Sequence, residues 1–249
     1  MTPSASPEPE PAVVSGARAL ALLAEGELEL LGRIPWASNA TLLARVRHQD
    51  LEGLAIYKPV RGERPLWDFP SGTLYRREVA AYQVSEQLGW GLVPPTLARD
   101  GPLGVGSLQL YVDADPEVTA FELLAADNPV LPQVAAFDVV SNNADRKAGH
   151  CLAGEDGRVW AIDHGVCFHV EPKLRTVLWD LAGRRLEAAM VADLEALAGQ
   201  VAGGELGDHL GMLLAADEVA AVAERATALA GAGRLPAPGS GRPYPWPLV

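Results

Sequence analysis

Two short segments of the chain carry residue types able to do chemistry. FDVVSNNADRKAGH, residues 137–150, sets Asp145 in a polar stretch after an apolar run. AIDHGVCFH, residues 161–169, sets Asp163 at the end of an apolar strand pattern, just before Gly165. Two carboxylates on loops separated by a hairpin can converge on one site. Phosphoryl transfer needs such a pair: one carboxylate accepts or orients the proton of the attacking hydroxyl, and the other holds a divalent metal on the phosphates. It also needs a cation for the phosphates. Lys58, behind the apolar lead-in LAIY, suits that role, and Glu78 downstream could hold it by an ion pair.

The elements that must position these residues follow from pattern and punctuation. ARALALLAEG reads as a helix ending near Gly26, and ELELLGRI, ATLLARVRH and LEGLAIYKPV read as three strands. The PWASN connection and the Asp50–Gly53 turn make them an antiparallel meander. RGERPLWDFPSGT is a loop. TLYRREVAAYQVSEQLG is a helix on which Leu74, Val79, Tyr82 and Leu88 share a face, with Gly89 as its stop. VPPTLARD and GSLQLYVDAD are two further strands. Helices are expected at about 119–126 and 131–140, a hairpin around Glu155–Gly157, and helical periodicity from about Val177 to Ala232. The last sixteen residues, RLPAPGSGRPYPWPLV, hold five prolines and cannot form a regular helix; Tyr244 and Trp246 there either dock on the domain or stay mobile. Strands first and helices after predict an α+β fold with a small sheet lobe and a larger helical lobe. The expected divisions are a disordered tail over 1–15, a sheet lobe over 16–115, a helical lobe over 116–235 and a Pro-rich tail over 236–249.

Composition narrows the function. The 249 residues are 49% apolar, enough for a sizeable core, and carry 20 Lys and Arg against 32 Asp and Glu, a net charge of −12. That balance argues against nucleic acid as a partner and against stable association with an anionic membrane, both of which need clustered basic residues. No apolar run is long enough for a membrane span, the first residues lack a secretory signal pattern, and the two cysteines, Cys151 and Cys167, do not make a disulfide framework. A cytoplasmic protein is the expectation.

The motifs, in this order, resemble the phosphatidylinositol 3-/4-kinase-like superfamily of atypical kinases over about residues 27–170, in a compact actinobacterial branch. NNADR resembles the catalytic loop, AIDHG the metal-binding turn, and YRREVAAYQVSEQLG the helix that partners the phosphate-binding lysine. The resemblance implies a two-lobed protein-kinase-like fold with ATP and Mg or Mn as cofactors. It implies that Lys58 contacts the phosphates, Glu78 orients it, Asp145 is the catalytic aspartate and Asp163 the principal metal ligand. LQLYVDAD resembles the hinge between lobes, where backbone groups of Leu110, Tyr111 and Val112 would meet adenine. Asn142 and Asn143 would buttress the catalytic loop, and Arg146 either braces it or is solvated. The implied reaction is transfer of phosphate from ATP to a hydroxyl of a soluble metabolite or protein. The alternatives are a catalytically weak ATP-binding module and transfer of AMP.

Two features depart from the kinase pattern. No glycine-rich G-x-G-x-x-G occurs in the first hairpin, so Ser38 and Asn39 of PWASN either cover the phosphates or form a simple polar turn. His150 stands where the related kinases carry a metal-binding asparagine, so it either ligates the metal through nitrogen, favouring Mn²⁺ over Mg²⁺, or only hydrogen-bonds the loop. As a ligand it would lose the metal as pH falls through about 6.5.

Overall fold

A computed structural model of the chain describes residues 16–34 and 40–249. The expected tail over 1–15, and Ser38 and Asn39 in the first connection, lie outside the described residues.

The first half is a helix, α1 (Ala17–Glu25), three strands, β1 (Glu27–Arg33), β2 (Leu42–His48) and β3 (Leu51–Pro59), a helix, α2 (Leu74–Leu88), and two strands, β4 (Thr96–Gly101) and β5 (Gly104–Leu110). Among the described residues the strands form one antiparallel sheet in the order β1-β2-β3-β5-β4. The expected meander holds for β1 to β3, and β5 then pairs with β3, leaving β4 at the edge. β4 starts only at Thr96 because Pro94 and Pro95 have no N–H for a ladder. β5 stops at Leu110, short of the expected run to Asp115, because residues 111–115 leave the sheet to reach the second half. Leu22 and Leu23 of α1 pack on Val46, Ala55, Tyr57 and Leu108 of the sheet.

Lys58 is positioned from both sides. In register it faces Ser107 of β5. Beside that pair, a Cβ on Gly106 would overlap the Lys58 carbonyl oxygen and lie 2.7 Å from Pro59 Cα, so only glycine lets the strands close there. Gly106→Ala is therefore expected to cost about 1–3 kcal/mol, the usual scale for overpacking, and to weaken any ligand that Lys58 holds; urea melts with a titration of the ligand check it. The face of α2 expected to be apolar is buried, with Leu74, Val79, Tyr82 and Leu88 all in the core, and the helix ends at Gly89 with φ 67.

The second half contains α3 (Ala120–Ala125), α4 (Leu131–Ser141), a short hairpin of β6 (Cys151–Ala153) and β7 (Val159–Ala161), and α5 (Ala188–Gly203), α6 (Glu205–Gly211) and α7 (Ala216–Ala232). Thr119 and Glu122 form a capping box at the start of α3. The long helices begin at Ala188 and not near Val177. The intervening backbone is used otherwise: the Val177 N–H donates to Arg146 O at 3.1 Å, and Gly183 sits at φ 78. The Pro-rich C-terminal segment is docked. Pro243 O accepts from the Thr176 N–H (3.0 Å) and from Trp179 Nε1 (2.9 Å), and Leu248 O accepts from the Ala148 N–H (2.8 Å). It thereby supports the loop that carries Asp145 and His150, while the Tyr244 and Trp246 rings stay exposed. Among the described residues no helix is long and apolar enough to cross a membrane.

Candidate active site

Lys58 ties three elements together. Its Nζ lies 2.5 Å from Glu78 Oε1 on α2 and 2.9 Å from Asp163 Oδ1 after β7. The other oxygen of Glu78 accepts the His164 N–H at 3.0 Å, so one buried carboxylate fixes both the lysine and the turn bearing Asp163. Arg77, the neighbour that could have taken Glu78 locally, pairs instead with Glu218 at 2.7 Å. Asp163 has φ 62, a left-handed conformation that is costly for a residue with a Cβ. Burial works against the charge on Lys58, but Asp163 and Glu78 outweigh it and raise its pKa. The Lys58 ammonium in turn holds Asp163 well below the usual carboxylate range against burial.

The loop after α4 is built around Arg146, which is fully buried. Its Nε donates to Asp138 Oδ1 and Oδ2 at 3.0 and 3.1 Å, its Nη1 donates to His150 O and Ile162 O at 3.2 and 2.8 Å, and its Nη2 lies 2.7 Å from His164 Nε2. A guanidinium can only donate, so His164 Nε2 is the acceptor and its proton sits on Nδ1. Asn143 Nδ2 donates to Asp138 at 3.0 Å, and its Oδ1 accepts the Asp145 N–H at 2.9 Å. Asn142 donates to His169 O and Glu171 O and accepts the Lys173 N–H, pinning the segment after the Asp163 turn. Burial raises the Asp145 pKa, opposed by Lys147, whose Nζ is 3.2 Å from Asp145 Oδ2. Asp138, Lys147 and His164 had no role in the expected site. For Asp138 a signal existed: an aspartate inside the apolar run AAFDVV must be paired if that helix is buried.

These groups open on one cleft of about 520 Å³, lined by Lys58, Glu78, Asp145, Lys147, His150 and Asp163 with an apolar wall that includes Ile56, Leu110, Val112, Leu152 and Ile162. The expected hinge backbone forms one side but is partly committed. The Leu110 N–H donates to Pro95 O (2.9 Å) and the Tyr111 N–H to Leu54 O (3.0 Å), which removes both as donors to adenine. The Val112 N–H has no backbone partner among the described residues.

His150 Nε2 lies 3.4 Å from Asp163 Oδ2, and its Nδ1 faces the Lys147 N–H. Burial pushes its pKa down to about 4. In the ligand-free protein the imidazole therefore gains its proton below the ordinary histidine range. The unfolded chain takes up this proton near pH 6.5 and the folded chain only near pH 4, so acidification across that window destabilises the fold. His150→Asn is expected to flatten the stability profile between those values, read as urea midpoints of the ligand-free protein. Among the described residues no three His, Cys, Asp or Glu side chains converge to hold a metal unaided. Asp163 is a hard oxygen donor that could hold a metal whose other ligands come from phosphate oxygens.

No family model matches the chain. It is 45% identical over 262 aligned positions to "Protein Rv2133c" of Mycobacterium tuberculosis, covering 91% of this chain and 94% of that protein. The chain belongs to the Rv2133c family. A shorter stretch, 110 positions at 36% identity, matches "Phosphatidylinositol 4-kinase gamma 4" of Oryza sativa subsp. japonica, covering 36% of this chain and 20% of the rice protein. In three dimensions this Rv2133c family member is similar to the Helicobacter pylori proinflammatory kinase CtkA, with a TM-score of 0.50 at 10% identity, covering 86% of this chain and 94% of that one. The fold is therefore a two-lobed, kinase-like α+β fold.

Proposed function

We propose that this Rv2133c family member is a phosphotransferase of the phosphatidylinositol 3-/4-kinase-like type, using ATP with Mg²⁺ or Mn²⁺ to phosphorylate a hydroxyl. The observation that carries the reading is Lys58 held between Glu78 of α2 and Asp163 of the turn after β7, inside a cleft that Asp145 also lines. The kinase-like fold and the partial match to the rice kinase support it. In this reading Lys58 binds phosphate oxygens and Glu78 keeps it extended. Asp163 is the metal ligand with His150 beside it, the Val112 N–H meets the adenine edge, and Asp145 takes the acceptor's proton. Bound metal would supply charge neutralisation on the phosphates. The lobe limits 16–115 and 116–235 belong to the same proposal. The net charge of −12 disfavours an anionic membrane surface, leaving a soluble metabolite or a protein side chain as acceptor. One observation favours a second reading, a weak nucleotide-binding module: His150, a nitrogen donor, lines the cleft beside Asp163 where the family resemblance implies an oxygen ligand.

Incubation with ATP labelled separately at the γ- and α-phosphate, with cell extract as acceptor, tests the proposal. Transfer of γ label supports a kinase, and α label shows AMP transfer. No transfer, with Asp163→Ala abolishing the thermal stabilisation by metal–ATP, leaves the binding module. The same stabilisation in Asp163→Ala as in the wild type removes Asp163 from the metal site.

A further inference from the structure

A second cavity, of about 440 Å³, backs onto the cleft through the hinge. Among the described residues the two cavities share Leu110, Tyr111 and Val112. Its floor includes Leu54, Val93 and Leu110, and among the described residues five carboxylates line it against one guanidinium, that of Arg158. Most of these carboxylates are engaged: Glu52 pairs with Arg45 and Arg47, Glu86 bonds the Tyr82 hydroxyl, and Asp156 pairs with Arg158. Asp113 and Glu155 are not. Neither side chain has a partner among the described residues, and the Glu155 N–H donates to Asp113 O at 3.1 Å, which holds the two side by side at the rim.

The wall of this cavity already handles a guanidinium. Arg158 lies 4.0 Å over the Trp160 ring while its Nε donates to Asp156 at 2.7 Å. Tyr111, which is 40% exposed, offers a second ring at the rim, two residues from Asp113. A planar guanidinium can stack on such a ring and still donate in parallel to a carboxylate, which an ammonium cannot do. The methylenes of its stem would cover the apolar floor. The volume suits one or two side chains of an extended segment.

We propose that the cavity behind the hinge is a docking site for an arginine-bearing segment of a protein partner, held by Asp113 and Glu155 at the rim and by the Tyr111 ring. This assignment does not rest on the nucleotide reading.

Binding of the labelled peptides acetyl-Leu-Arg-Arg-Leu-amide, its Lys-Lys counterpart and its Glu-Glu counterpart to the full chain, followed by fluorescence anisotropy, tests it. The arginine peptide is expected to bind more tightly than the lysine peptide, and the glutamate peptide not at all. Raising salt from about 50 to about 200 mM should weaken binding, as partly exposed ion pairs require. The double variant Asp113→Asn, Glu155→Gln changes two exposed positions and should weaken binding about tenfold or more with an unchanged thermal melt. No binding at about 1 mM protein, equal binding by the double variant, or equal binding of the glutamate peptide would overturn the proposal. Gly16, the first described residue, also lines the cavity. Peptide binding seen only after removal of residues 1–15 would assign the cavity to the chain's own N-terminal segment and overturn the partner assignment.

Discussion

Asp145→Asn is expected to leave affinity for metal–ATP nearly unchanged while lowering phosphoryl transfer by about 10²-fold or more, the scale of a lost general base. The asymmetry follows from where Asp145 stands. Lys58 and Glu78 pair with each other and with Asp163, whereas the Asp145 carboxylate is 3.2 Å from Lys147. Its backbone is fixed by the Asn143 side chain, a bond that the substitution leaves in place. Asparagine preserves size while removing the charge paired with Lys147 and the capacity to accept a proton. Burial raises the Asp145 pKa and Lys147 opposes that rise, and a raised carboxylate is the direction in which a general base is tuned. Binding by calorimetry and turnover with γ-labelled ATP separate the two effects. Undiminished transfer removes Asp145 from the reaction, and a parallel loss of ATP affinity makes it a binding group.

Local pattern made the strand ending at Lys58, the helix bearing Glu78 and the two aspartate loops legible, because each rests on periodicity and turn chemistry within a dozen residues. What escaped was set by long-range register. Whether a hinge N–H is free depends on which carbonyls face it, and the pairing of Leu110 with Pro95 O and of Tyr111 with Leu54 O is a property of the assembled sheet. In the sequence His150 is a metal-ligand candidate with an ordinary histidine's pKa, because its burial comes from segments distant in the chain. Five prolines excluded a C-terminal helix, but nothing in RLPAPGSGRPYPWPLV announces that Pro243 and Leu248 accept from backbone beside the Asp145 loop. Arg146 was left between brace and solvated side chain for the same reason: its side-chain partners, Asp138 and His164, lie 8 and 18 residues away.

Arg146→Met is expected to destabilise the folded protein by about 3–5 kcal/mol, the cost of removing one partner of a buried ion pair. Methionine fills much of the volume, so the loss is electrostatic. Asp138, with no exposure, keeps only its bonds from Asn143 and Thr176, at 3.0 and 3.2 Å, and loses the one cation that balances its charge. His150 O and Ile162 O each lose a donor, and His164 Nε2 loses its partner. For a chain of this size such a loss lowers the melting temperature by roughly 6–20 °C. The double variant Asp138→Leu, Arg146→Met, which removes both charges, should recover part of the loss, because an apolar pair carries no uncompensated charge. Urea unfolding of the wild type, the single and the double variants measures the coupling. A single variant that costs less than about 1 kcal/mol, or a double variant no better than the sum of its parts, would show that this pair does not hold the loop of Asp145 and the turn of Asp163 in register.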